Sequence, residues 1–463
     1  MRKIIKTALC ALLACVMIFG AACSDGASET EPENAETESA EATEEKTDAM
    51  ETETETVTET ETEEATTPAE IVPTAIPTVE ASSPISAHRT IIYGTAEPGS
   101  VIRYVIDGVE EINECNDKYY YIEVRTEKKA IVSIYATAPG KSESDPVETE
   151  VAPSEESKPV FGGRNSRIFY SPTLGFLTGC EANQESLDSL AGYIANKTIT
   201  EIQKATGKDT KLIYAIIPDP ATAYADEQRD YIAAQIPAGH KSAMESFVET
   251  VNDCHKDVYA VDLLTVMRAH TDDRIYFSTD THYTEFGAYY AYLEIMSKVK
   301  ESFPDATVKT IENGDYTVEY NDVSGGDLCG MVGMAMNEVV PFFIANFEDT
   351  GSYYVSKRND GIKSAGFGPS GWERNSELKN SNNPTVYFLG DSYGCYILPF
   401  IGANFSKVWT NEGVLWSYGL DKNILTENKP DFVILLVCQR NVGPDFMDGG
   451  NVINAFSTSV SGF

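Results

Sequence analysis

Histidine is scarce in this chain, five in 463 residues, and none of its nine cysteines stands in a Cys-x-x-Cys pair. With no His or Cys at ligand spacing, neither a metal centre nor a bound cofactor is expected. Positive charge is also scarce: 35 Lys and Arg face 72 Asp and Glu, a net charge of −37. That balance argues against nucleic acid or an anionic membrane surface as partner. Long apolar runs are missing apart from residues 7–19, which fall short of the ~20 residues of a membrane span.

What is present begins with a leader. Arg2, Lys3 and Lys6 precede the apolar run, and Gly20-Ala21-Ala22 precede Cys23, the layout of a secretory signal peptide. Cys23 after small residues also resembles a bacterial lipobox, so lipidation at Cys23 and a membrane anchor at the cell surface are expected for residues 1–23. The alternative, Leu12-Leu13-Ala14-Cys15, would leave residues 16–22 as an odd apolar start. A plain secreted protein is the blander reading. Six cysteines follow: Cys115, Cys180, Cys254, Cys329, Cys395 and Cys438. Disulfides suit an exported protein, and isolated cysteines serving as small buried hydrophobes suit the sequence equally.

Residues 24–83 form the next unit. Between Ser24 and Glu80 nineteen acids face Lys46 alone, in a Glu/Thr/Ala/Pro composition that includes Glu51-Thr52-Glu53-Thr54-Glu55-Thr56. Such a stretch buries too little apolar surface to offset its ordering entropy, and we expect a disordered, self-repelling stalk. From 84 to 153, short β-rich runs at 90–93, 101–106, 119–125 and 130–136 alternate with turn signals such as Glu97-Pro98-Gly99 and Asp107-Gly108. They predict a small all-β sandwich. Gly94-Thr95-Ala96-Glu97-Pro98-Gly99-Ser100 resembles the opening of bacterial Ig-like surface repeats. The unit reads as a spacer in which Tyr119, Tyr120 and Tyr121 serve packing, with carbohydrate binding as the minority reading.

Residues 159–463 alternate apolar strands with amphipathic helices. Strands are expected at 212–217, 258–263, 275–278, 385–389 and 431–437, and helices at 241–254 and 285–303, the latter capped by Thr284. That order predicts a three-layer α/β domain with its site at the carboxyl ends of the strands. Ser392 lies just past one such end and His282 a few residues past another. A serine hydroxyl needs an imidazole to take its proton, and the imidazole needs a carboxylate to fix its tautomer. His282 and Asp280 fit those roles, since residues i and i+2 of an extended segment project to one side. His88, His240, His255 and His270 are assigned as structural or exposed, and Asp391 as a ligand of local backbone.

Four blocks carry a family resemblance: residues 212–219 with Tyr224, 277–284 with Gly287-Ala288, 388–394, and 429–435 running to Gln439-Arg440-Asn441. Their order, with Asp-x-His ahead of Gly-Asp-Ser, resembles the alginate O-acetyltransferase-like (DHHW) branch of the SGNH hydrolase superfamily, over roughly residues 161–443. The resemblance implies an SGNH-like fold and a Ser392–His282–Asp280 triad. It further implies acetyl transfer to an exported or cell-wall polysaccharide through an acetyl-serine, with a membrane-bound O-acyltransferase as acetyl donor. Three departures bear on the substrate subsite. Tyr283 replaces the usual tryptophan, Pro220 follows Asp219 where lysine is common, and Gln439 precedes Arg440 where glutamate is common. With no Gly-x-Asn-Asp block to supply an asparagine, the oxyanion is assigned to backbone N–H groups at Ser392 and Tyr393, under the positive end of the helix expected there. Arg440 or Asn441 would add a side-chain donor, and Tyr283 and Arg440 would contact sugar. A carbohydrate acetyl esterase and a non-catalytic surface-binding lipoprotein remain open beside the transferase.

Overall fold

The computed structural model of the protein describes residues 72–115, 117–178, 183–239, 241–347, 376–378, 381–410 and 420–442. The leader, Cys23 and most of the Glu/Thr segment lie outside them, as do Cys180 and His240. The chain divides at Pro68, and everything described belongs to the unit that follows.

Seven strands open that unit: β1 (Ala81–Ser86), β2 (Arg89–Thr95), β3 (Ser100–Ile106), β4 (Val109–Cys115), β5 (Tyr119–Arg125), β6 (Ala130–Thr137) and β7 (Val147–Val151). They form two antiparallel sheets, β1-β2-β5 and β4-β3-β6-β7. β6 shows why: alternate residues Ala130, Val132, Ile134 and Ala136 are buried while their neighbours face outward. Ile92, Tyr120, Ile122 and Val124 of one sheet share a core with Ile102, Tyr104, Val132 and Ile134 of the other, which makes the expected sandwich. It starts earlier than residue 84. Thr74 donates its amide to Ser142, Thr78 to Thr95 and Glu80 to Tyr93, so the last residues assigned to the stalk are folded.

A hairpin of β8 (Val160–Gly162) and β9 (Ile168–Tyr170) leads into the α/β domain. Its principal helices and strands run α1 (Gln184–Tyr193), α2 (Ile199–Thr206), β10 (Lys211–Ile217), α3 (Ala243–Asn252), β11 (Val258–Val261), α4 (Leu263–Arg268), α5 (Glu285–Ser302), β12 (Tyr316–Ser324), α6 (Asp327–Val332), β13 (Asn337–Ala345), β14 (Ser376–Glu377), β15 (Thr385–Gly390), α7 (Gly394–Asn404), β16 (Lys407–Thr410), α8 (Lys422–Asn428) and β17 (Phe432–Cys438). The central sheet has the order β11-β10-β17-β15-β16-β14, parallel except for β14 at the edge. β10 and β17 are buried along nearly their whole length, as continuous apolar runs covered on both faces must be. One face packs Ile213, Phe388 and Ile434 against α5 and α7, and the other packs Tyr214, Tyr387 and Val433 against α1, α2 and α3. This is the expected three-layer α/β domain. The ends of α2 and α3 follow local rules, a left-handed Gly207 closing α2 and a Ser242/Glu245 capping box opening α3.

Three expectations change. The strand expected at 275–278 is a loop with a lone bridge between Tyr276 and Tyr283. Thr284 sits at the start of α5 without capping it, because its hydroxyl donates 2.6 Å to the Arg274 carbonyl. The hairpin β12–β13, unpredicted, projects beside that loop.

The sandwich is also more than a spacer. Tyr120 points into its core, whereas Tyr93, Tyr119 and Tyr121 on the opposite face of the β1-β2-β5 sheet pack on Val160, Ile168, Leu328, Val332 and Met336 of the α/β domain. The buried Tyr121 hydroxyl bonds the Asn337 carbonyl. β5 therefore offers no aromatic platform to a sugar. Polar contacts reinforce the junction: the Glu123 carboxylate accepts from the Gly162 amide at 2.8 Å and the Tyr231 hydroxyl at 3.0 Å. Of the cysteines, Cys115, Cys329, Cys395 and Cys438 are buried, as small hydrophobes would be, and Cys254 is half-buried; Cys115, Cys254, Cys329 and Cys438 form no disulfide among the described residues.

Candidate active site

The carboxyl ends of β10, β17 and β15 are neighbours in the sheet, and the site is built on them. β15 ends at Gly390, and Asp391 fixes the turn that follows. Its carboxylate accepts the Tyr393 amide at 3.0 Å, the Cys438 amide at the end of β17 at 2.7 Å, and the Asn441 side chain at 2.9 Å. Ser392, only 3% exposed, is thereby held between two strand ends.

The partner loop spans residues 275–284. Asp280 and His282 face one side through a bend, correcting the extended geometry expected of them: the Asp280 Oδ1 accepts the His282 amide at 2.8 Å in an Asx-type turn. The same oxygen lies 2.6 Å from His282 Nδ1, and His282 Nε2 lies 2.7 Å from Ser392 Oγ. The loop is clamped from the hairpin side. Asp327 donates its amide to Asp280 Oδ2 at 3.0 Å, and its own carboxylate accepts the Thr281 amide at 2.8 Å. Gly326 leaves no room for a side chain, since a Cβ there would meet the Asp280 carboxylate. Glu338 of β13 accepts the Ser278 amide at 2.7 Å, the Thr279 amide at 3.1 Å and the Thr279 hydroxyl.

Electrostatics follow from that packing. Burial pushes Asp280 up, but His282 and the amides of Asp327 and His282 outweigh it and hold the carboxyl below its ordinary range. Asp327 is pushed up by burial and by the neighbouring Asp280 charge. Burial raises Glu338 to about 7 against its hydrogen bonds to Thr279 and Ser278. Ligand atoms of Asp280, His282 and Asp327 lie within 4.8 Å of one another, a spacing that could hold a cation. Both ring nitrogens of His282 are already engaged, however, which makes the group a hydrogen-bonded chain rather than a ligand set.

The remaining predicted site residues take other places. The Tyr393 amide is spent on Asp391, which removes it from the expected oxyanion pair, and its buried hydroxyl donates to the Thr281 carbonyl. The amides of Gly394 and Cys395 at the start of α7 are likewise turned back onto Asp391 and Ser392 carbonyls. Among the predicted backbone donors the Ser392 amide remains. Tyr283 is 0% exposed with its hydroxyl on the Tyr393 carbonyl at 2.6 Å, so it walls the histidine from behind and cannot stack on a sugar. Arg440 pairs with the fully buried Asp219 at 2.8 Å and reaches the Thr281 hydroxyl at 3.0 Å. It braces the histidine loop against β10 and β17. Asn441 braces Asp391. Sequence reasoning passed over Glu338, Asp327 and Gly326, none of which stands in a recognised block. The one available signal was their grouping of acids and glycines within a short segment.

A pocket of about 280 Å3 opens beside Asp280, walled by Phe277, Val323, Val340, Phe342 and Tyr396. The Tyr396 ring centre lies 6.0 Å from that of His282. The recess thus borders the Asp280 end of the hydrogen-bonded chain, and its apolar walls keep water from that carboxylate.

Residues 195–396 match the family described as SGNH hydrolase-like domain, acetyltransferase AlgX, a span that includes Asp280, His282 and Ser392. No curated protein matches the sequence. Among solved structures, a DHHW family protein from Eubacterium siraeum is similar at 14% identity and TM-score 0.42, over 72% of this chain and 96% of that one. Bacillus cereus PatB1 is similar at 14% identity and TM-score 0.41, over 62% and 97%. The O-acetyltransferase domain of Pseudomonas putida AlgJ is similar at 16% identity and TM-score 0.37, over 62% and 92%.

Proposed function

Starting from residues 195–396, which match the SGNH hydrolase-like domain of acetyltransferase AlgX, we propose that the protein is an exported O-acetyltransferase that acetylates a polysaccharide through an acetyl-Ser392 intermediate. The observation that carries this reading is the unbroken chain from Asp280 through His282 to Ser392 Oγ. His282 Nε2 takes the serine proton as Oγ attacks the acetyl carbonyl carbon, and Asp280 bears on the Nδ1–H of the resulting imidazolium. The tetrahedral oxyanion collapses, the donor's leaving oxygen takes the proton from Nε2, and acetyl-Ser392 remains. A sugar hydroxyl then gives its proton to Nε2 and attacks, restoring the Ser392 hydroxyl. The Ser392 amide supports the oxyanion.

The leader with Cys23 supports export and a lipid anchor at the bacterial surface, with the acidic segment setting reach. A membrane-bound O-acyltransferase is the proposed acetyl source.

The test uses an activated acetyl ester as donor. Mass spectrometry is expected to find acetyl on the peptide carrying Ser392, and Ser392→Ala to lower donor turnover by about three orders of magnitude or more. Oligosaccharides added to the reaction are expected to gain acetyl at the expense of release to water. Rapid donor cleavage with no oligosaccharide ever acetylated would convert the reading to acetyl esterase. Full turnover by Ser392→Ala would place the chemistry on another residue, and no turnover by wild type would leave a binding lipoprotein.

A further inference from the structure

A second and larger cavity, of about 720 Å3, lies where the sandwich meets the α/β domain. Its size is inside the roughly 300–1,000 Å3 of ligand-binding clefts. Three ion pairs set its walls: Arg274 with Asp117 at 2.7 Å, Lys118 with Asp322 at 2.6 Å, and Arg167 with Glu227 at 3.1 Å. Two of them run from the turn between β4 and β5 across to the α/β domain, so the cleft is held open by contacts between both parts. Every cation in the lining is thus matched by an acid, while Glu114 and Asp272, also in the lining, have no cation partner among the described residues. The surplus charge is negative, and a uronate- or phosphate-bearing polymer would be repelled from it.

The hairpin contributes Tyr320, which is 56% exposed and lines the cleft. A lone exposed tyrosine is ordinary on a protein surface. This one instead stands in a concave polar site, where an aromatic face beside fixed donors and acceptors matches a sugar ring, apolar on its face and hydroxylated at its rim. The hairpin is also a wall shared with the smaller pocket: Val339 lines the cleft and Val340 lines the pocket beside Asp280. Successive residues of a strand face opposite ways, so the two cavities lie on opposite sides of one ribbon.

We infer that this cleft binds an uncharged or amine-bearing saccharide segment and holds the acceptor polymer against the hairpin whose other face borders Asp280. The acceptor role rests on the acetyl-transfer reading, whereas the binding itself does not. Calorimetric titration of the full protein with oligosaccharides of glucose, glucosamine and glucuronate tests it. Glucose and glucosamine oligomers are expected to bind wild type and Ser392→Ala alike, to bind Tyr320→Ala about tenfold more weakly, and to outcompete the glucuronate oligomer. Hydrolysis of the activated acetyl ester, which needs no sugar, is expected to be unchanged in Tyr320→Ala, showing the variant to be folded. Absence of binding by any of the three oligomers, tightest binding of the glucuronate oligomer, or binding indifferent to Tyr320→Ala would overturn the inference. Because the titration requires no turnover and the ester assay requires no sugar, failure of the cleft and failure of the acetyl-transfer reading are separate results.

Discussion

Glu338 has two roles that conflict, holding the backbone of Ser278 and Thr279 as an acceptor while buried where its charge is disfavoured. An acid whose folded-state pKa is raised, here to about 7, binds its proton more tightly in the native than in the unfolded chain. Its contribution is therefore complete below the ordinary carboxylate range and is lost as pH rises through about 7. Relative to Glu338→Gln, which cannot titrate, wild type is expected to lose on the order of 3 kcal/mol of unfolding free energy between pH 5 and pH 8. Urea unfolding of both proteins across that range measures it, and a difference constant with pH would refute the assignment. Ser392, His282 and Asp280 were legible because the chemistry needs those residue types and their order matches a family. Glu338 and Asp327 were not, since a carboxylate that props a loop 46 to 60 residues away looks in sequence like any surface acid. Arg440 and Tyr283 were placed in the right neighbourhood with the wrong partners: nothing local says that Asp219 and the Tyr393 carbonyl occupy their polar atoms.

Among elements, the buried strands β10, β15 and β17 were readable as apolar runs, and β4 and β7 were not. β4 exposes Val109, Glu110, Glu111 and Ile112 at a sheet edge, so it lacks the alternation that marks a half-buried strand. β1 is short, polar and carries Pro84, where its register shifts. β5 carries the most structural weight in the sandwich because both of its faces are covered. Tyr121, stacked on Tyr93 at 5.4 Å between ring centres and bonded to Asn337, is its anchor in the α/β domain. Tyr121→Ala is expected to cost about 3–5 kcal/mol, as emptying an aromatic site in a core does, and Tyr121→Phe about 1 kcal/mol for the hydrogen bond alone. Shifts in denaturant midpoint at constant slope report both. Equal, negligible shifts would show that the junction is not part of the folded core.

For the molecule as a whole, the boundary at residue 159 suggested by composition separates two units of sequence that share a core of fold. The face bearing Ile85, Ile91, Tyr93, Tyr119 and Tyr121 and the opposing Val160, Ile168, Leu328, Val332 and Met336 are buried only against each other. A protein of residues 159–463 alone is expected to aggregate or bind a hydrophobic dye, and residues 72–463 to unfold in one calorimetric transition. Two resolved transitions in the longer protein would separate the units after all. Composition could not reveal this, because an interface between domains uses the same Tyr, Ile and Val that fill a core.

The reach of that interface along the chain sets a timetable. Tyr121 and its acceptor at Asn337 are 216 residues apart, and His282 and Ser392 are 110 apart. At ribosomal speeds of about 5–20 residues per second, the sandwich is complete roughly ten to forty seconds before the hairpin that covers its tyrosine face has been made. A nascent chain thus carries an uncovered apolar sheet face for nearly half of its synthesis, and Ser392, supplied later still, reaches His282 only after the residues that cover that face have been made.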